Sequence, residues 1–242
     1  MKTQCTGIKL TGNTQTGTLK IIALVCMIID HVGVIFFPHH IGLRTIGRIA
    51  FPLYAWSLVV GSIMTHHPMR YTLRLFGVGC ISQPLYCITL NHSLWELNIL
   101  FTLCLGLVAI MGIRYKCYGS QFWAPILCYV IVAFVTVDYG WKGLTFMLVL
   151  YGARQSKSAL AVAFLSFALY WGAGNGVNLI PYRWSSPILS LIRPLFSLRS
   201  MVWLALPFIL YPTPWSIAMP KWLGYLLYPL HLLVLYLIKL LV

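Results

Sequence analysis

A carboxylate and an imidazole stand side by side inside an apolar run near the amino terminus, in the order Ile28-Ile29-Asp30-His31-Val32-Gly33. The chain has only three acids, Asp30, Glu96 and Asp138. A charged side chain at mid-bilayer costs about 2.5–3.5 kcal/mol on insertion scales, so Asp30 needs either a functional role or an ion pair with a base on another helix. Neighbouring residues on a helix point about 100° apart, so Asp30 and His31 must serve different partners. One arrangement has His31 facing a cavity as a general base while Asp30 braces a neighbouring helix or loop.

Lys20 precedes His31 by eleven residues. That separation returns to the same helix face after three turns, with a rise of about 16 Å. A cation at the membrane surface and a neutral imidazole deeper on the same face suit a long anionic cofactor, its phosphates outside and its reactive tip inside; coenzyme A has about that reach. The ordinary alternative is that Lys20 flanks a span under the positive-inside rule.

Further polar residues punctuate the apolar sequence. His231 lies midway along the last run, in Tyr228-Pro229-Leu230-His231-Leu232, either as a hydrogen-bonded packing residue or as part of the site. Arg48 opens the second run within Gly47-Arg48-Ile49-Ala50-Phe51-Pro52, where snorkelling to the interface is the alternative to a role. Asp138-Tyr139-Gly140 marks a turn between spans, and Asn98 either caps a helix or reaches inward. His39, His40, His66, His67 and His92 fall at the ends of runs and require no function. The seven cysteines show no CxxC spacing, and a disulfide framework or metal site is not expected. No P-loop, HExxH helix or Ser-His-Asp order is present.

The elements that position these residues are set by hydropathy. Of 242 residues 60% are hydrophobic and 8% charged, and the mean hydropathy is +0.85, so the expected fold is an all-α polytopic membrane protein in one bundle. Apolar runs near 19–37, 46–65, 72–90, 97–113, 122–137, 140–153, 159–175, 201–217 and 221–241 give about nine transmembrane helices. Pro207, Pro212 and Pro214 leave the penultimate run open to kinking or re-entry. Residues 1–18, rich in Thr, Gly and Gln, read as a flexible cytoplasmic tail ahead of a transmembrane domain over 19–242. The first run carries Asp30 and His31 and no A-x-A-like cleavage site, and reads as a retained anchor. The net charge of +14 sits mainly between the runs, as topogenic charge and lipid contact rather than a nucleic-acid surface. Its distribution favours an inside amino terminus and an outside carboxyl terminus.

The run 19–31 ending in Asp30-His31, Gly47-Arg48-Ile49-Ala50-Phe51-Pro52-Leu53-Tyr54, Asn98-Ile99-Leu100-Phe101, Asp138-Tyr139-Gly140 and Tyr228-Pro229-Leu230-His231-Leu232 together resemble the TraX family, associated with N-terminal acetylation of conjugative F-type pilin. The resemblance spans residues 19–242. More loosely, Lys20-x10-His31 is similar to the R/K-x10-H pattern of the membrane-bound acyltransferase type 3 family, which moves acyl groups from coenzyme A to extracytoplasmic acceptors. That family's RxxR motif is absent; Arg44/Arg48 and Arg70/Arg74 are spaced RxxxR. The resemblance implies a bacterial inner-membrane acetyltransferase using acetyl-CoA, with a pilin subunit as acceptor. Its implied site has His31, Asp30 and His231 as catalytic residues, Lys20, Arg48, Arg70 and Arg74 at the cofactor, and Asn98, Asp138 and Tyr139 at the substrate. O-acetylation of a glycan and proton-coupled transport of a small molecule are the alternative readings.

Overall fold

The computed structural model describes residues 10–174, 177–179 and 186–241. Among them the regular elements are helical, joined by two isolated bridges, Leu97 with Val137 and Asn178 with Ser197. The helices are α1 (Thr16–Phe36), α2 (Ile41–Gly47), α3 (Ala50–Met64), α4 (Pro68–Leu90), α5 (Ile99–Tyr115), α6 (Ser120–Phe134), α7 (Gly140–Ala153), α8 (Lys157–Gly172), α9 (Pro187–Ile192), α10 (Leu206–Leu210) and α11 (Lys221–Leu241). Short 3-10 turns at Cys117–Gly119, Arg193–Phe196 and Ser200–Ala205 lead into or link them.

Five helical segments are long and apolar enough to cross a membrane: Thr16–Phe36, Ile41–Met64, Pro68–Leu90, Cys117–Phe134 and Trp222–Leu241. Each of the nine expected spans coincides with a helical segment, but the others are shorter. The reasons are local. The loop before α5 folds back, and Asn98 starts the helix late by accepting a hydrogen bond from the Leu100 N–H at 3.0 Å. The penultimate run stops at Leu210, ahead of Pro212 and Pro214, which cannot continue a ladder of N–H donors.

α3 is buried nearly all round, with Phe51, Leu53, Trp56 and Val59 at its heart. A helix without a polar face belongs inside a bundle. α6 and α11 turn apolar residues outward instead, among them Phe122, Ile126 and Phe134, and Leu226, Leu237 and Leu241. Such faces are stable against hydrocarbon, where backbone hydrogen bonds are satisfied within each helix. α5 and α6 approach closely because Gly112 has no side chain; a Cβ there would lie 2.5 Å from that of Ala124.

The segment ahead of α1 differs from the flexible tail expected over residues 1–18. Residues 1–9 lie outside the described residues, but Leu10 to Gln15 are tied into the bundle and α1 begins at Thr16. Asn13 is 2% exposed; its amide donates to the carbonyls of Phe208 at 2.9 Å and Tyr211 at 3.1 Å, and its own carbonyl accepts from the Trp56 indole at 2.7 Å. Buried backbone carbonyls at the proline-rich end of α10 need donors, and Asn13 supplies them.

The helix ends gather at two poles. At one, Thr11 meets Arg154, Thr18 meets Trp215 and Arg114 donates to the Ser62 carbonyl. At the other, Lys239 bonds the Thr89 carbonyl and Asn91 at the end of α4, each at 3.0 Å, and Leu97 pairs with Val137. Lys20, Arg70, Arg74, Arg114, Lys116, Arg154 and Lys157 lie at the first pole. The three carboxylates, Asp30, Glu96 and Asp138, lie toward the second.

Candidate functional site

α1 and α11 bring His31 and His231 together across 200 residues of sequence. Nδ1 of His31 stands 3.1 Å from Nε2 of His231, and the rings stack at 5.2 Å with 18° between planes. Nδ1 of His231 lies 3.1 Å from the Leu227 carbonyl one turn earlier on α11. A carbonyl can only accept, so His231 carries its proton on Nδ1 and offers the Nε2 lone pair to His31. With both rings neutral, His31 is then the donor through Nδ1–H, and its own Nε2 holds a lone pair. His231 is 7% exposed, whereas His31 keeps more accessible surface. One histidine is therefore fixed inside and the other is oriented by it, its basic nitrogen set by a chain of two hydrogen bonds.

Asp30, adjacent in sequence, faces elsewhere. Its Oδ1 lies 3.8 Å from Nη2 of Arg48 and 4.0 Å from Nε of Arg44, which stand one turn apart at the α2–α3 junction. This approach needs Gly47, since a Cβ at that position would fall 2.2 Å from the Asp30 Cβ. Arg48 is directed inward rather than snorkelling to the interface, and its guanidinium also bonds the Tyr139 hydroxyl. Tyr139 is held at φ 63° where the turn after α6 enters α7, and stacks on Phe51 with ring centres 4.1 Å apart. Thr102 donates to the Asp138 carbonyl and fixes the same turn from α5. Burial pushes the Asp138 carboxyl up to about 6, with the Arg48 charge pulling it down. Asp30, Arg48, Asp138 and Tyr139 thus form one ionic cluster at the acid-bearing pole, beside the histidine pair.

A cavity of about 100 Å³ runs toward that pair from the basic pole. Lys20 and Leu24 of α1, Tyr54 and Leu58 of α3, Tyr71 and Leu75 of α4, the start of α5, and Tyr225 and Tyr228 of α11 form its wall. Tyr228 packs edge-on against His231, ring centres 5.4 Å apart, so a single wall residue stands between the cavity and the pair. The cavity is apolar between its phenols and has Lys20 in its wall.

The remaining sequence-derived candidates are placed as follows. Arg70 and Arg74 are exposed at the start of α4, and Arg74 acts electrostatically on Tyr225. Asn98 is fully buried; besides capping α5 it donates to the Gly79 carbonyl at 2.9 Å and to Gln83 at 2.8 Å. Its hydrogen-bonding groups are thus spent on tying α5 to α4. His92 bonds Glu96 at 2.7 Å on the exposed loop between these helices, and this bond together with the Ser93 N–H holds the Glu96 carboxyl below its ordinary range. Among the described residues no three His, Cys, Asp or Glu side chains gather to hold a metal ion.

Sequence reasoning passed over Arg44 as a partner of Asp30 and the four cavity tyrosines. Their signal was present as Tyr225, Tyr228 and His231, three residues apart and hence on one face of α11.

Fold and site define an all-helical membrane protein with a hydrogen-bonded histidine pair beside the tyrosine wall of an interhelical cavity. The chain belongs to the TraX protein family, whose model matches residues 15–239. It is similar to a probable fimbrial assembly protein FimC, serogroup H1, of Dichelobacter nodosus, 30% identical over 62% of this chain and 67% of that one. An uncharacterised protein of Rickettsia prowazekii is 28% identical over 59% of this chain and 57% of its own length. Protein TraX of Escherichia coli is 36% identical over 36% of this chain and 35% of its own. The chain thus spans between about a third and two thirds of these relatives. No solved structure matches it.

Proposed function

We propose that this protein is an inner-membrane acetyltransferase of about nine passes that moves acetyl from acetyl-CoA to the amino-terminal amine of a pilus subunit. The observation that carries the reading is the His31–His231 pair, a base whose tautomer is set by its neighbour and which Tyr228 joins to the wall of a tyrosine-lined cavity. Lys20, with Arg70 and Arg74 beyond it, supplies positive charge where coenzyme A phosphates would enter, and the basic pole suits the cytoplasmic side. An acceptor amine must lose a proton to attack, and Nε2 of His31 takes it. Acetyl-CoA supplies an activated acyl group, which passes to the amine as the C–S bond breaks and the C–N bond forms, and coenzyme A leaves as a thiolate that takes up the proton held by His31. His231 stabilises the imidazolium of His31 by accepting its Nδ1 proton in a hydrogen bond. Asp30 and Arg48 fix α1 against the α2–α3 junction, so that His31 stays aligned.

TraX family membership and a relative named for fimbrial assembly support a pilus subunit as acceptor over a glycan. The experiment is incorporation of labelled acetyl from acetyl-CoA into pilin in membranes carrying wild-type protein or His31→Gln, with equal detergent-extracted yield. Label with wild type and a loss of about 100-fold or more with the variant is expected, the contribution typical of a general base. Absence of label on pilin with the wild type rejects the pilin-acetylase reading.

A further inference from the structure

The cavity wall carries a chemical pattern of its own. Tyr54, Tyr71, Tyr225 and Tyr228 come from three different helices and converge on one apolar channel. Tyr228 is buried and the other three are half-buried, and none of the four hydroxyls bonds a described residue, which leaves them open to a molecule in the cavity. Tyr71 near the start of α4 and Tyr225 near the start of α11 lie closer to the basic pole than Tyr54 near the start of α3 and Tyr228 one turn further along α11, so the four fall into an outer and an inner couple. Leu24, Leu58, Leu75 and Leu103 fill the wall around them.

O–H donors spaced along the wall of a narrow apolar channel match a flexible chain in which isolated carbonyls alternate with methylene groups. They do not match a plain acyl chain, which would leave every donor unpaired, nor a sugar, which would meet leucines along most of its length. We infer that these four tyrosines are a carbonyl-reading rail for the pantetheine arm of the acyl donor. Tyr71 and Tyr225 bond its amide carbonyls near the basic pole, and Tyr54 and Tyr228 meet the thioester end beside His231. This assignment rests on the acetyltransferase reading above and adds to it the residues that select the donor.

The test uses the purified full-length protein and two readouts. The first is the dissociation constant of coenzyme A itself, measured by calorimetry, for wild type and for Tyr71→Phe and Tyr225→Phe, whose hydroxyls meet the amide carbonyls that coenzyme A retains. Each substitution removes one hydroxyl and keeps the ring, and weakens binding about 3- to 10-fold, the range of a single hydrogen bond. The second is acetyl transfer from acetyl-CoA and from acetyl-pantetheine, which lacks the nucleotide. The Phe variants raise KM for both donors by the same factor, because the contact is to the arm, and Tyr228→Phe in addition lowers kcat. Wild-type protein that acetylates, with coenzyme A affinity unchanged in Tyr71→Phe and Tyr225→Phe and transfer unchanged in all four variants, overturns the rail and leaves the acetyltransferase standing. Wild-type protein that neither binds coenzyme A nor transfers acetyl overturns both. Phe variants that weaken acetyl-CoA but leave acetyl-pantetheine unaffected also overturn the rail, since the tyrosines would then act on the nucleotide.

Discussion

His31 and His231, 200 residues apart in the chain, share one hydrogen bond of 3.1 Å whose direction is decided by a third group, the Leu227 carbonyl. Because that carbonyl claims the Nδ1 proton of His231, the pair is asymmetric. His31 is the donor within it and the base beyond it.

Replacing His231 separates position from packing. His231→Gln retains a side-chain acceptor for His31, whereas His231→Leu fills the space without one. Acetyl transfer should fall by on the order of 10–100-fold in the leucine variant, with a smaller loss in the glutamine variant. Nitrogen NMR of labelled histidine should show His31 with its proton on Nδ1 in wild type and a mixture of tautomers in His231→Leu. Equal activity of the two variants would count against an orienting role.

Arg48 links Asp30 to Tyr139 and to the charge of Asp138. Arg48→Met should destabilise the protein by about 3–5 kcal/mol, because two partly buried carboxylates lose their shared counter-charge. Thermal unfolding in detergent measures this, and Asp30→Asn in the same background should recover part of the loss.

Asp138 provides a pH signature. Burial raises its carboxyl from the ordinary 3.8 to about 6 in the folded protein, so between these values the folded state holds a proton that the unfolded state has lost. Its contribution to stability is therefore full below pH 3.8 and declines as pH rises to about 6. Asp138→Asn should abolish that decline in a series of unfolding midpoints from pH 4 to pH 7. A wild-type profile identical to that of the asparagine variant would show that Asp138 titrates as an ordinary surface acid.

Asn13 fastens the segment before α1. Asn13→Ala leaves the carbonyls of Phe208 and Tyr211 without these donors and should cost about 1–3 kcal/mol. Limited proteolysis from the amino-terminal side should then cut ahead of Thr16 faster than in wild type.

Much of the helical layout was legible because each apolar run is bounded by charges, glycines or prolines, and such runs have one low-energy form in a membrane. Asp30 and His31 stood out for the same reason: their cost in hydrocarbon demands partners. What the sequence could not supply was the identity of those partners. Arg44 was passed over because its pairing depends on the turn at Gly47, where the missing side chain admits Asp30. By sequence Asn98 is either a cap or an inward-reaching residue, and only packing against Gly79 and Gln83 shows how its groups are occupied. The five long helices and the shorter ones between them were not separable by hydropathy, since a short buried helix such as α5 is as apolar as a spanning one.

The most direct measurement is the intact mass of mature pilin from cells that carry the wild-type protein, His31→Gln at equal membrane level, or neither. The account predicts pilin heavier by one acetyl group at its amino terminus with the wild type alone. Unmodified pilin in all three, or full acetylation with His31→Gln, would contradict it.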